Sequence, residues 1–475
     1  MFFSRRNPMH FFLRVTFLLF SSLLYFCGKG NPVSSGNSQD PANLAKNIIV
    51  TPILKDTIPT AFINFLAKTT PDDADGLVQV YIQNTNKVLV QLRVEGQVEG
   101  YTNNATKMVT IAAGLSDTIK LAPLITNAAF QSLSENKTVS YRVITTLISG
   151  ITETQVYNQT HTAQMLAKDV FIFGDSQLDK LIALWVTPHI TQVDQLIAKA
   201  IKRNPENAFI GYQNSPTSDG YQHISTSYSG TCTVTAGRTA TAKTFTLAYY
   251  YANPKISGSF TATGGSGDDI KASIVDSLAN NYYQSGKVHT DNFILSNLVS
   301  GTYHYKFDNS FSLITDKSVT YTLNVSYDKD WIYVQTKAIY DALKNDYKIS
   351  YVNSSISYPN GTQKIRLPAD ALSLGSANCI DGTVLFASAL ENISLEPIIC
   401  LIPGHAFVGW KRWTGAIGKY EFLETTMIGS STYEEAYKKG LAEFTQYRNT
   451  KSITIIDVKA CRDIGITPLM KSRAR

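Results

Sequence analysis

The sequence predicts an α+β protein made of several domains. Many short segments alternate apolar and polar residues, as strands with one buried face do, and fewer segments space apolar residues by three and four, as amphipathic helices do. At 475 residues the chain is too long for one compact core. Apolar residues make up 44% of it and charged residues 17%, which is typical of a folded chain rather than a disordered one.

The charge of the chain argues against one class of partner. Its formal net charge of +6 is small for this length. The basic residues are scattered along the chain and do not form a stripe interleaved with aromatic residues. We therefore expect no nucleic-acid partner.

The N-terminal segment 1–27 has the features of an export signal. Arg5 and Arg6 supply a positive start, and an apolar run extends from Phe11 to Phe26. The uninterrupted part of this run is too short to span a bilayer as a helix. Cys27 closes the run, and a polar tether, 28–47, leads away from it.

A cysteine at the end of such a run resembles the cleavage site of a bacterial lipoprotein. The resemblance implies that Cys27 becomes the acylated N-terminus. Leu24 suits such a site, whereas Tyr25 and Phe26 are larger than the residues usually found there. We expect an exported protein of the cell envelope that a lipid anchors to the outer membrane. Plain secretion and an uncleaved anchor are the alternatives.

Residues 48–167 are predicted to form an immunoglobulin-like β-sandwich. Leu77–Ile82, Val88–Val94 and Ser140–Leu147 alternate apolar and polar side chains, and Asn84 to Asn86 is a turn signal. Several short strands with turn residues between them and no long helix are typical of such a sandwich. A spacer or docking role is the simplest function for it.

Two segments that are distant in sequence are predicted to fold together. Ser176–Leu184 and Trp331–Leu343 both have the apolar spacing of helices. We expect 176–214 and 331–475 to form one domain, with 215–330 inserted into it as a further β-sandwich.

The inserted segment is rich in predicted strands, among them Thr244–Tyr250, Lys271–Val275 and Lys317–Tyr327. The string Gly301–Val319 resembles the closing strands of GOLD (Golgi-dynamics) sandwiches, which are small β-modules that bind partners or lipids. The resemblance implies that the insertion docks a partner or a lipid.

Cys379 carries the strongest chemical signal in the sequence. Asn378 precedes it, and Ile380–Leu390 has helical apolar spacing, so Cys379 is predicted to begin a helix. Asp381 lies in the first turn, where a carboxylate complements the helix dipole. The same dipole stabilises a thiolate, which is the reactive form of cysteine.

A histidine and a glutamate follow on predicted strands. Pro397–Ile402 is a continuous apolar run typical of a buried strand, and His405 opens the next strand after a Pro-Gly turn. Tyr420–Thr426 gives a third strand, in which Glu424 is the candidate for an inward-facing carboxylate.

This order of thiol, imidazole and carboxylate resembles the transglutaminase-like proteins of the papain-type superfamily. The strings that carry the resemblance are Ala377–Thr383, Pro403–Trp410 and Leu423–Thr426. The segments Trp185 to His189 and Ile455–Leu469 are similar to the start and the end of the domain in bacterial members.

The resemblance implies a role for each residue of this constellation. Cys379 would be the nucleophile, His405 would take its proton, and Glu424 would hold the imidazole. The family more often has Asp in the third position, so the hydrogen-bond geometry at Glu424 differs by one methylene. The backbone N–H of Cys379 and the side chain of Gln363 are the candidate oxyanion donors.

No metal or cofactor is expected, because the cysteines are widely spaced and no CxxC or HExxH string occurs. Structural explanations compete with the catalytic ones: His405 as a turn histidine, and Glu424 as the partner of a lysine. Cys400 and Cys461 are predicted to pack in the core, and Cys232 lies in a strand of the insertion.

The predicted function is that of an exported thiol enzyme which cleaves peptide or amide bonds in a peptide or protein substrate through a thioester. Hydrolysis is favoured over crosslinking because water is in large excess outside the cytoplasm. One alternative is an inactive scaffold that docks partners or lipid through its sandwiches. Another is an envelope processing factor that acts on a partner docked by the insertion.

Overall fold

The computed structural model describes residues 40–65, 77–176, 178–213, 219–265, 267, 269–354 and 356–469. The predicted export signal, Cys27 and most of the tether lie outside the described residues. The predicted α+β class is confirmed, since most of the regular structure is in sheets and the helices are fewer. No helix in the described part of the chain is long and apolar enough to cross a membrane.

The described residues of the N-terminal unit include short helices and a larger number of strands. In chain order these are α1 (Pro41–Lys46), β1 (Ile48–Leu54), β2 (Thr57–Ile58), β3 (Val78–Asn84), β4 (Val90–Val98), β5 (Ala105–Ile111), β6 (Ser116–Leu121), α2 (Asn127–Ser132), β7 (Lys137–Ser149) and β8 (Thr152–Met165).

These strands form a three-stranded sheet, β1-β3-β6, and a five-stranded sheet, β2-β8-β7-β4-β5. Only the short pair β2–β8 is parallel among the described pairs of this unit. The alternation predicted from sequence places every second residue inside, as with Val90, Leu92 and Val94 on β4. The two inner faces make one apolar core, as in a β-sandwich.

The chain next forms β9 (Val170–Phe173), a 3-10 helix over Asp179–Trp185, and α3 (Thr191–Ala200). The sequence predicted an α-helix over Ser176–Leu184, and the structure has the tighter 3-10 form there. Leu181 to Trp185 are all buried in the core of this part of the molecule.

The insertion is a sandwich of two four-stranded sheets. Its strands are β10 (Gln222–Val234), β11 (Thr239–Leu247), β12 (Tyr251–Thr263), β13 (Lys271–Asp276), β14 (Asn281–Gln284), β15 (Thr290–Leu295), β16 (Gly301–Asp308) and β17 (Lys317–Lys329). The sheet orders are β10-β17-β12-β15 and β11-β16-β13-β14. Between them lies a core rich in aromatic side chains, including Phe260, Tyr305 and Phe307.

A third unit is built from β9, the 3-10 helix Asp179–Trp185 and α3 together with the elements that follow the insertion. The elements after the insertion complete it. They are α4 (Trp331–Asn345), β18 (Ser350–Tyr351), β19 (Gly361–Lys364), α5 (Pro368–Leu374), β20 (Ser376–Ala377), α6 (Cys379–Asn392), β21 (Pro397–Ile402), β22 (His405–Lys411), β23 (Tyr420–Leu423), α7 (Tyr433–Asn449), β24 (Thr454–Asp457) and α8 (Val458–Asp463).

An antiparallel sheet, β23-β22-β21-β24, supports this unit. Helix α6 packs against the sheet with residues from Cys379 to Leu390 buried on all sides. Strand β19 pairs with β9, and β18 runs parallel to β20 immediately before α6. The core therefore surrounds α6 and fixes the position of its first residue.

The two ends of the insertion lie side by side where they join the third unit. Gln222 and Lys329 are partners across β10 and β17. Lys329 Nζ lies 2.7 Å from Glu206 Oε1. Asp330 then caps α4 by accepting the Tyr333 backbone N–H at 2.9 Å.

Candidate functional site

Cys379 is the first residue of α6 and is held there by a capping box. The Asn378 side chain accepts the Asp381 backbone N–H at 2.9 Å, and the Asp381 carboxylate accepts the Asn378 N–H at 3.2 Å and the Arg366 N–H at 2.8 Å. Burial raises the pKa of Asp381, while the backbone hydrogen bonds act against the rise. Asp381 is thus occupied in building the helix start.

The first turn of α6 packs tightly against the segment that follows β23. A Cβ atom at Gly382 would lie 2.9 Å from Thr425 Oγ1, so glycine is needed for this approach. Thr425 Oγ1 in turn donates to the Cys379 carbonyl oxygen at 3.4 Å. The backbone of the candidate nucleophile is therefore tied to the residue next to Glu424.

His405 begins β22 and lies between the thiol and two carboxylates. Its Nε2 is 2.7 Å from Glu424 Oε2, at hydrogen-bond distance. Because Glu424 engages Nε2, Nδ1 is the nitrogen available to Cys379, whose thiol lies near enough to the imidazole to raise the pKa of the ring. The structure thus brings Cys379, His405 and Glu424 together in the predicted order.

Glu424 is fixed from both ends of its carboxylate. It follows β23 and is 2% exposed. While Oε2 contacts the imidazole, Oε1 accepts the Thr426 backbone N–H at 2.9 Å. The side chain reaches the ring despite the extra methylene, because it caps the short 3-10 helix Thr425–Met427.

A second carboxylate, which sequence reasoning missed, lies beside the same nitrogen. Glu443 of α7 has Oε2 at 3.6 Å from His405 Nε2. Gly440 permits this placement, since a Cβ atom there would lie 2.7 Å from the Leu423 backbone nitrogen. The signal in the sequence is a glycine inside an amphipathic helix, which marks a close approach but not the residue that faces the histidine.

The protonation of this cluster departs strongly from ordinary values. Burial lowers the pKa of His405, but the interactions of the ring with Cys379, Glu424 and Glu443 outweigh burial and raise it to about 12. Burial raises the pKa of Glu424. Burial raises the pKa of Glu443, but its interactions with the imidazole, Glu424 and Lys439 outweigh burial and hold the pKa below its usual range.

The side chains of His405, Glu424 and Glu443 are of types that bind metals, and their ligand atoms lie within 4.8 Å of one another. Two ligands of one tetrahedral Zn²⁺ would be separated by about 3.3 Å at ordinary bond lengths. The 2.7 Å between Nε2 and Glu424 Oε2 is instead the distance of a shared proton.

The two candidate oxyanion donors differ in availability. Gln363 lies on β19, where its Oε1 accepts the Ser357 N–H at 3.0 Å and its Nε2 donates to the Lys364 carbonyl at 2.9 Å. Its amide is therefore engaged locally. The backbone N–H of Cys379 belongs to the first turn of α6, whose N–H groups have no acceptor within the helix.

Tyr351, on β18, is a further neighbour that sequence reasoning missed. It is 42% exposed, and its charge interactions are with Cys379, His405 and Glu424. A cavity of about 550 Å³ lies beside the start of α6 and is lined by Arg366, Asn378 and other side chains. Nothing in the sequence near Tyr351 indicates this placement, which depends on the pairing of β18 with β20.

The remaining described cysteines lie in packed surroundings. Cys400 is at the centre of β21, and burial raises the pKa of its thiol. Burial raises the pKa of Cys461 to about 11 and also raises that of Cys232. Trp410 is fully buried, with its ring stacked on Phe386, and so belongs to the core.

One family model matches part of the chain. Residues 243–361 match the emp24/gp25L/p24 family (GOLD). The match supports the predicted GOLD-like sandwich in the insertion, and it extends past the sandwich through α4 to the start of β19. No curated protein matches the chain.

Solved structures give only weak likenesses. Tripeptidyl peptidase 2 is 6% identical over 60% of this chain and 21% of its own, with a TM-score of 0.17. The secreted serine protease VesC from Vibrio cholerae is 10% identical over 53% and 46%, with a TM-score of 0.14. Red sea bream transglutaminase is 10% identical over 58% and 32%, with a TM-score of 0.16.

This chain thus spans less than half the length of each of these three proteins. TM-scores this low carry no argument about fold or activity. The case for a function therefore depends on the geometry around Cys379.

Proposed function

We propose that the third unit is a transglutaminase-like, papain-type thiol domain, in which Cys379, His405 and Glu424 transfer acyl groups. The observation that carries the proposal is the position of the His405 ring. One ring nitrogen is held by a buried carboxylate at 2.7 Å, and a thiol at a helix N-terminus is close enough to raise the pKa of the ring. This is the relation that activates a cysteine nucleophile.

The chemistry begins with a thiolate and an imidazolium. The Cys379 sulfur attacks the carbonyl carbon of an amide, and a C–S bond forms. His405 gives its proton to the leaving nitrogen, the C–N bond breaks, and an amine departs. His405 then takes a proton from water, whose oxygen attacks the thioester. The C–S bond breaks, and the products are a carboxylic acid and the free thiol.

Two other groups support these steps. The Cys379 backbone N–H is the proposed donor to the oxyanion, because the Gln363 amide is engaged elsewhere. Glu424 holds the ring so that its other nitrogen faces the sulfur. Hydrolysis is the proposed outcome, and an amine in place of water would give transamidation.

The proposed place of the reaction is the cell envelope, where the exported chain would meet its peptide or protein substrate. An acylated Cys27 would anchor that chain to the outer membrane, and the GOLD-like insertion would dock a partner or lipid. Labelling cells with a fatty-acid analogue should mark wild type but not Cys27→Ser. Equal labelling of the two would leave plain secretion as the export route.

A second candidate function is a scaffold without turnover. Cys379 is only 1% exposed, so the sulfur meets little solvent in this conformation. The GOLD match, in turn, points to docking rather than to chemistry. In this alternative the sandwiches bind and the third unit has a structural role.

Acylation of the full chain by p-nitrophenyl acetate separates the two functions. We expect rapid acetylation at Cys379, detected by peptide mass spectrometry, and none in Cys379→Ala. Glu424→Gln should slow turnover by about 10²- to 10⁴-fold, which is the usual range for general acid–base contributions. Cys461→Ser is the matched control and should react like wild type. A wild-type Cys379 that reacts no faster than Cys461 would favour the scaffold.

A further inference from the structure

Helix α7 supplies a charged cluster that the proposed triad does not use. Glu443 lies one turn after Gly440, against the edge of the imidazole, and its side chain is 12% exposed. Its Oε1 pairs with Lys439 Nζ at 3.0 Å. Its Oε2, the atom that faces His405, has no hydrogen-bond partner among the described residues.

One ring nitrogen thus faces two carboxylates. Glu424 is the closer of the two at 2.7 Å, and Glu443 is at 3.6 Å. A buried carboxylate oxygen without a hydrogen bond is unfavourable unless a charge of opposite sign lies near it. An imidazolium at His405 is the group that supplies this charge. The arrangement favours a ring that is protonated at rest.

We infer that Glu443 is a positioning residue that keeps His405 as an imidazolium beside Cys379. This inference builds on the proposed function but concerns a residue outside its triad. Glu443 acts through the ring and touches neither the sulfur nor the substrate. Without it, Glu424 alone would face a ring that loses its proton more easily.

Charged and titratable groups face His405 from several elements. Cys379 comes from α6, Tyr351 from β18, Glu424 from the segment after β23, and Glu443 with Lys439 from α7. The pKa values of the two carboxylates shift in opposite directions. Burial raises the pKa of Glu424, whereas the interactions of Glu443 with the imidazole, Glu424 and Lys439 outweigh burial and lower its pKa.

The test follows the ring proton itself. The full chain is labelled with ¹³C-histidine, and His405 is assigned by the signal that His405→Gln removes. In wild type the ring should remain protonated to about pH 9. In Glu443→Gln it should lose its proton at least about one pH unit lower than in wild type. Glu434→Gln, on the same helix, removes the same charge away from the site and should change nothing.

Lys439→Met provides a second variant, because the Lys439 side chain is 54% exposed and exposed substitutions change stability little. Removing the cation beside Glu443 should shift the ring's titration upward, opposite to Glu443→Gln. An unchanged titration in both variants would overturn the inference. If both shifts appear while wild-type Cys379 resists acetylation, the role of Glu443 stands and the acyl-transfer proposal fails.

Discussion

The inserted sandwich and the third unit differ in what they bury. The core of the sandwich is apolar and aromatic, and Lys317 is the charged side chain buried in its described part. The third unit buries Asp381, Lys411, Arg412 and Glu424. Taking a charge out of water costs several kcal/mol unless partners compensate it. Alternation alone can build the sandwich, whereas the third unit depends on specific ion pairs.

The largest loss of stability should come from replacing Arg412, which follows β22 and whose guanidinium contacts Asp330 at the end of the insertion. It lies 2.7 Å from Glu421 and 2.8 Å from Asp330, and its side chain is 8% exposed. Arg412→Met would leave these carboxylates without their cation, with an expected loss of about 3–5 kcal/mol in the free energy of unfolding. Urea unfolding measures it.

Arg93→Met is the control for that prediction. Arg93 also bonds a carboxylate in two places, but on the exposed surface of the N-terminal sandwich, where water screens the pair. The unfolding curve of this variant should match wild type. Equal losses in the two variants would show that burial does not set the difference between the regions.

Much of this contrast was predictable from the sequence. Alternation gave the sandwiches, since strands with one buried face have a period of two. The helix that starts at Cys379 followed from its cap, because capping is local. The expectation that His405 and Glu424 lie near Cys379 came from strings that resemble those of transglutaminase-like proteins, and such a resemblance carries long-range geometry that single residues do not.

The rest depends on contacts between distant segments. Glu443 reaches His405 only because Gly440 brings α7 close to β23. Arg412 meets Asp330 only because the insertion returns beside β22. Neither pairing leaves a periodic signal, and the local pattern of α7 is that of an ordinary amphipathic helix.

A smaller effect concerns pH. The folded-state pKa of His405 is raised from the ordinary 6.5 to about 12. The folded protein therefore keeps a proton that the unfolded chain loses, so this contribution is complete below about pH 6.5 and declines as pH rises toward 12. Relative to His405→Gln, wild type should lose up to about 1.4 kcal/mol of unfolding free energy per pH unit in that window. Urea titrations at about pH 6.5 and 8.5 measure it.

His223 on the insertion is the matched histidine. His223 Nδ1 lies 2.6 Å from Asp328 Oδ1, and this hydrogen bond raises the pKa of His223. Its side chain is 56% exposed, so solvent screens the pair. His223→Gln should change the pH dependence of stability much less than His405→Gln does. If His223→Gln removes the pH dependence of stability and His405→Gln does not, the dependence comes from the insertion and not from the third unit.

The smallest loss of stability should come from removing the inserted sandwich. Its core closes on itself, and Gln222 and Lys329 are direct partners, so their Cα atoms are about 5 Å apart. A short glycine linker in place of 222–329 can join the ends. Thermal melting should stay cooperative, because the core around α6 keeps its own contacts.

Extending that deletion by one residue tests where the boundary lies. Removing 222–330 also takes away Asp330, which caps α4 and pairs with Arg412. The extra loss should be about 3 kcal/mol or more, since a cap and a partner of a buried charge disappear together. If the shorter deletion already abolishes cooperative melting, the sandwich is part of the third unit's core. If both deletions melt alike, Asp330 is not the residue that joins them.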